Sequence, residues 1–286
     1  MSHFTVFTIS RKSAGYPEIG ELLAPYDEQL EVEPRIYKTK QELIDEEKDN
    51  IANIPTYRSI KEYLDDPAKF KANNSASTVD YVEQKLQKYY DCMGKKMTDE
   101  DYYAMAIENI EKDMLDEDGN ELTTYNPDSK WDWWQEGGRW GGTLPLKNGK
   151  TADRAYAKDV DWDKLYKLEP AKEKEARKFW RIYVEGKPKD AKEKEEFDKE
   201  NQFILYKPEY FSDKYKTVER YIQSLATFAT YAALDEKGWY APGEMGWFGC
   251  SSESDKESLD WEEGFRKRFI DTLDPEDEVV IVDCHI

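Results

Sequence analysis

Two parts of this chain hold the residues best suited to chemistry. Between Asn126 and Trp140 the sequence reads N-P-D-S-K-W-D-W-W-Q-E-G-G-R-W, and Gly141 and Gly142 follow as a second glycine pair. Four of the nine tryptophans fall in this stretch. Arg139, set between a glycine pair and Trp140, offers a planar fork to a carboxylate or phosphate while stacking on an indole. Gly137 and Gly138 permit backbone that side chains forbid and allow a partner or another strand to come close. Trp131, Asp132, Trp134, Glu136, Arg139 and Trp140 therefore form a candidate ligand or partner site. The competing reading is a tryptophan-rich core strand with Arg139 buried against Asp132 or Glu136.

The second part is the C-terminal Asp283, Cys284 and His285. In a strand Asp283 and His285 share a face and Cys284 takes the other, so the three cannot form a triad among themselves. His285 and His3 are the two histidines. They approach each other if the terminal strands are neighbours, and catalytic work by His285 and Asp283 is weighed against a structural role. A metal centre would need carboxylates from elsewhere, and neither metal nor cofactor is expected. The Gly-rich, aromatic stretch from Gly243 to Cys250 adds Glu244 and Trp247 as candidates. It lacks the Lys and Ser/Thr of a phosphate-cradling loop.

Charge sets bounds on partners. With 42 basic and 62 acidic residues the formal net charge is −20, which argues against unaided binding to nucleic acid. A basic protein surface is the more natural partner; the plainer reading is that acidity maintains solubility. The densest patch runs from Asp99 to Glu121, where ten acidic residues face one basic residue, Lys112. Its candidate surface comprises Asp99, Glu100, Asp101, Glu108, Glu111, Asp113, Asp116, Glu117 and Asp118. The D-E-D-G-N-E segment there lacks the alternating ligands and closing Glu of a calcium loop and reads as an Asp-Gly turn. Cys92, Cys250 and Cys284 lack the short spacing of a zinc or redox motif and suit a reducing cytoplasm. No stretch approaches membrane-spanning length.

These residues must be positioned by regular elements. Phe4 to Ser10 alternates as a strand, and E-V-V-I-V-D-C-H-I at the other end reads as a strand apolar on both faces, hence inside a sheet. Leu22 to Arg35, bounded by prolines, reads as a loop or edge strand. Thr39 with Glu42 opens a helix over Gln41 to Ile51. Val79, Val82, Leu86, Tyr89, Tyr90 and Met93 mark another, stopped at Gly94. A third starts at Thr98 and carries Tyr102, Ala106, Ile110 and Met114 on one stripe, packing as a hairpin with the second. Lys214 to Leu225 reads as a helix, Phe228 to Leu234 as a strand turned by Asp235 to Gly238, and Leu259 to Leu273 as a last helix. The sum is one α+β core over 1–150 and 208–286, with a largely antiparallel sheet that includes both terminal strands. Residues 151–207, rich in Lys and Glu, read as a helical insertion with a sticky edge at Phe179, Trp180, Ile182 and Tyr183.

At N-P-D-S-K-W-D-W-W-Q-E-G-G-R-W the chain resembles a group of uncharacterised phage and prophage proteins that share a K-W-D-W-(aromatic)-x-x-G-G-R-W signature. It is similar to them also in L-L-A-P-Y-D-E, in G-E-M-G-W-F-G at Gly243 to Gly249, and in the terminal V-D-C-H-I. Trp134 stands where that signature suggests Tyr, and the Lys/Glu-rich middle looks like a lineage-specific insertion. The resemblance brings a phage-like context and one common fold, without an activity. In that context the expected function is a non-enzymatic accessory protein of the infected bacterial cytoplasm. It would bind and inhibit a host anti-phage defence factor, itself a nucleic-acid-binding protein in the sharpest version, through its acidic surface. Direct nucleic-acid or membrane binding is not expected, and self-association stays open. The alternative is a small-molecule or nucleotide-binding protein, an enzyme in one version, using Arg139, Glu136, Glu244 and His285 around an aromatic pocket.

Overall fold

The two ends of the chain, both rich in residues that favour extended backbone, pair with each other. In the computed structural model, which describes residues 2–246 and 249–286, the strands are β1 (His3–Ser10), β2 (Arg35–Lys38), β3 (Glu121–Thr123), β4 (Trp133–Glu136), β5 (Leu144–Pro145), β6 (Thr151–Ala152), β7 (Arg154–Tyr156), β8 (Ala232–Asp235), β9 (Gly238–Tyr240) and β10 (Glu278–His285). β1 and β10 run antiparallel along their full lengths, from His3 opposite His285 to Ser10 opposite Glu278. The other side of β10 is covered by two strands placed end to end, β4 against residues 282–285 and β7 against 278–280. Beyond β1 lie β8, parallel to it, and β9, joined to β8 by the expected Asp235–Gly238 turn. The fold is α+β, and the β1–β8 pair makes its six-stranded sheet mixed.

β10 has the interior place its sequence requires, because Val279 to Cys284 is buried on both faces. On one face Phe7, Ile9, Val279 and Ile281 pack under Trp261, Phe265 and Phe269, which come from the helix Asp255–Phe265 and the π-turn Arg266–Ile270 that continues it. On the other, Phe4, Val6, Val280, Val282 and Cys284 meet Ile19, Leu23 and Trp131. Each large side chain buried this way contributes roughly 1.5–3 kcal/mol. Side-chain burial is what ties residues at opposite ends of the sequence together.

Contacts divide the chain into two units, Met1–Leu30 with Asn126–Ile286, and Glu31–Tyr125. The second unit is helical, with a core of Ile51, Ile54, Ile60, Phe70, Val82, Leu86 and Cys92 and the short β2–β3 pair. Its helix Lys40–Asn53 carries the Thr39–Glu42 capping box, and Ala76–Met93 ends at Gly94. Residues 151–207 fall in the first unit. They begin with β6 and β7, so this segment contributes a strand to the sheet before its helices Trp162–Leu165, Pro170–Phe179 and Ala191–Glu200.

Four local expectations change. Ile19–Leu23 is a helix with a Glu18–Glu21 capping box, and Pro25 sits in the first turn of the following 3-10 segment, where a missing N–H costs nothing. The helix from Thr98 stops at Ala106 rather than running to Met114. Continuing it would set Glu108 and Glu111 at helical spacing and place acids against the negative end of the helix dipole. That helix lies along Lys40–Asn53, tied by the pairs Lys48–Asp99 at 2.7 Å and Lys40–Glu100 at 3.1 Å, instead of forming a simple hairpin with Ala76–Met93. Finally, Lys214 to Leu225 is broken in two, Pro208–Tyr215 and Val218–Ala226, at Lys216 with φ 65°.

Candidate functional site

The pleat of three adjacent strands builds the site. Alternation places His3 and Thr5 of β1, Asp283 and His285 of β10, and Trp133 and Gln135 of β4 on one face. Phe4, Val282, Cys284, Trp134 and Glu136 belong to the other. His3 and His285 are direct partners in the register, and their rings meet edge to face with centroids 4.9 Å apart. Each Nδ1 faces a carboxylate oxygen: Asp283 Oδ1 lies 2.8 Å from His3, and Asp132 Oδ1 lies 2.5 Å from His285. An ionised carboxylate only accepts, so each Nδ1 donates to it, and Nε2 has no partner among the described residues. Asp283 has no exposed surface, and its second oxygen accepts the Arg139 backbone N–H at 3.0 Å.

The glycine pair is explained by what lies beneath it. Gly137 and Gly138 have φ of 66° and 53°. A Cβ on Gly138 would stand 2.3 Å from Asp283 Oδ2, and one on Gly137 2.3 Å from Asp153 Oδ2. The turn thus wraps two carboxylates, and Asp153 also accepts the Gly142 N–H at 2.5 Å. Sequence reasoning missed Asp153, which precedes β7 without any motif. The one available signal was that two adjacent glycines imply something pressed against them.

The tryptophans separate by face. Trp131 is buried and its Nε1–H donates to the Leu23 carbonyl at 3.2 Å. Trp134 and Trp140 are half-buried against the two core clusters. Trp133, absent from the candidates, is 46% exposed. Counting alternation outward from an inward Trp134 would have found it. β4 itself is an edge strand, limited to four residues by the turn before it and Gly137 after it.

Arg139 is exposed, which overturns the reading that buries it against Asp132 or Glu136. Asp132 holds His285, and Glu136 holds Arg154, whose Nε lies 3.2 Å from Oε2 and which also reaches Glu278 at 2.6 Å. Glu244 pairs with Lys130 at 2.8 Å, tying its loop to the signature. The pocket drawn from Arg139, Glu136, Glu244 and His285 does not assemble as drawn, because the pleat sets Glu136 and His285 on opposite faces. Trp247 lies outside the described residues. Cys284 sits on the far face, where burial pushes its thiol pKa up and keeps it neutral. Among the described residues no group of three or more His, Cys, Asp and Glu side chains could hold a metal ion. A cleft of about 680 Å³ lies elsewhere, lined by Phe179, Phe197, Tyr221 and Leu225 with Lys172 and Glu200, and no signature residue borders it.

The acidic run of the helical unit also divides by role. Asp99 and Glu100 are paired with Lys48 and Lys40. Asp101 completes the cap with Thr98, and hydrogen bonds from both the backbone and the hydroxyl of Thr98 hold its carboxyl below the usual range. Asp116 accepts the N–H groups of Asp118 and Asn120 in the Asp-Gly turn, and its carboxyl is likewise lowered, chiefly by Asn120. Glu108, Glu111, Asp113, Glu117 and Asp118 are exposed and have no cationic partner among the described residues. Among the described residues no helix is long and apolar enough to cross a membrane. No family model, no curated protein and no solved structure matches this chain.

Proposed function

We propose that the protein works by binding, without catalysis, a basic protein partner through the five unpaired carboxylates of Glu108, Glu111, Asp113, Glu117 and Asp118. The observation that carries this reading is their state: exposed, close in sequence and without a cation, while their neighbours Asp99, Glu100, Asp101 and Asp116 serve the fold. Charge held free in this way gives steering and specificity toward an oppositely charged surface. The resemblance of the signature to phage and prophage proteins motivates a host factor as that partner, with inhibition of an anti-phage defence effector as the outcome.

Capture of host proteins with identification by mass spectrometry supplies the partner, and titration of the purified pair tests the physics. Affinity falls as salt shortens the reach of exposed charges to about 8 Å at physiological ionic strength. Joint reversal of Glu108, Glu111 and Asp113 to Lys weakens binding at least tenfold by replacing attraction with repulsion. Affinity indifferent to salt, or intact after that reversal, overturns the proposal.

A further inference from the structure

One end of the sheet face that carries His3 and His285 is only partly covered by the described residues. Farther along the same face Phe7, Ile9, Val279 and Ile281 disappear beneath Trp261, Phe265 and Phe269. At the His end, Trp133 and Gln135 are exposed and both imidazoles reach the surface in part. The ring of Trp133 lies edge-on to that of His3, with centroids 6.2 Å apart. Both imidazoles are oriented by carboxylates at Nδ1, one of them the fully buried Asp283. Such bracing fixes ring position and tautomer and leaves two Nε2 atoms as neighbouring polar groups.

The second observation is Arg139, whose backbone N–H is anchored to that same Asp283. In a chain of net charge −20 the arginines are engaged: Arg11, Arg58, Arg154, Arg177, Arg181, Arg220 and Arg266 in ion pairs, Arg35 on a carbonyl, Arg268 on aromatic rings. Arg139 alone has a guanidinium with no hydrogen bond, ion pair or ring contact among the described residues. An exposed guanidinium without a protein partner is free to grip an anion through its planar fork.

We propose that this end of the sheet binds a nucleoside monophosphate. Trp133 provides the face on which the base stacks, Arg139 the bidentate grip on the phosphate, and the Nε2 atoms of His3 and His285 the remaining polar contacts. Asp132 and Asp283 are positioning residues for the imidazoles. The proposal is independent of the acidic surface, which lies in the other unit.

Isothermal titration with adenosine 5′-monophosphate, repeated with guanosine, cytidine and uridine monophosphates, tests it, with the four nucleosides and inorganic phosphate as controls. At least one nucleotide binds with a dissociation constant below about 1 mM, and its nucleoside and phosphate bind at least tenfold more weakly. Trp133→Ala and Arg139→Ala, both at exposed positions, each lower the affinity about tenfold or more, and ligand shifts the imidazole resonances of both histidines in NMR spectra. Reversal of Glu108, Glu111 and Asp113 leaves nucleotide binding unchanged, which separates this site from the proposed partner surface. Absence of binding by all four nucleotides up to about 10 mM overturns the proposal. Binding that survives both substitutions with the near-ultraviolet spectrum of the folded protein retained places the ligand elsewhere and overturns it equally.

Discussion

Gly138 and Gly149 share a left-handed backbone, and only one of them is crowded. At Gly138 a methyl group meets Asp283 Oδ2 at 2.3 Å, whereas Gly149, with φ 84°, has open space around it. Gly149→Ala therefore costs the backbone term alone, about 1–2 kcal/mol. Gly138→Ala adds displacement of a buried carboxylate that holds both His3 and the Arg139 N–H, for about 3 kcal/mol or more in urea unfolding. A second residue-scale outcome concerns pH. Burial raises the Glu262 carboxyl above its ordinary range. A folded-state value above the unfolded one favours folding fully below the unfolded pKa, and that advantage is lost as pH rises through the folded value. Glu262→Gln should raise the melting temperature near neutral pH and have no such effect below about pH 4, as differential scanning calorimetry at the two conditions would read. Legibility at this scale followed the range of the interaction. The pleat was enough to place Asp283 and His285 on one face and to bring His3 near His285. The state of Arg139 was hidden, because its two expected carboxylates are claimed by His285 and by Arg154, partners remote in sequence.

At the scale of elements, β10 receives hydrogen bonds on both edges and side chains on both faces. Removing residues 282–286 deletes its pairing with β4 entirely and with the first half of β1. The truncated chain should fail to accumulate as folded, soluble protein, and a melting transition unchanged from the full chain would contradict this role for β10. The elements that the sequence disclosed are those whose cause is local. Thr39 with Glu42, Thr98 with its acidic first turn, Gly94 after Met93 and the apolar alternation of both terminal strands are all signals within a few residues. β7 is three residues long and exists because β10 offers it an unpaired edge beyond the end of β4, so nothing within R-A-Y announces it. The early stop at Ala106 reflects charge that an apolar stripe does not register.

At the scale of the whole molecule, the Lys- and Glu-rich composition of residues 151–207 suggested a helical insertion; contacts group that segment with Met1–Leu30 and set apart Glu31–Tyr125. Composition records solvent exposure and is blind to which buried aromatics meet: Phe179 packs against Phe211 and Tyr221, beyond the segment's own boundary. The two ends of the helical unit adjoin, with the Val32 N–H donating to the Thr124 carbonyl at 2.9 Å. Replacing residues 31–125 by a short Gly/Ser linker should therefore leave the sheet-containing unit folded, with its near-ultraviolet dichroism retained; collapse of that signal would show the units to be interdependent. The pairing of β1 with β10 brings the outermost described residues together as well, since Ser2 and Ile286 exchange both backbone hydrogen bonds. An affinity tag on either end would emerge beside His3 and His285 and crowd the imidazoles, whereas one inserted at the exposed Asn148–Gly149 turn would not. The same adjacency makes the chain a natural subject for circular permutation: join the old ends by a short peptide, reopen the chain at that turn, and the order of the strands in the sheet is unchanged.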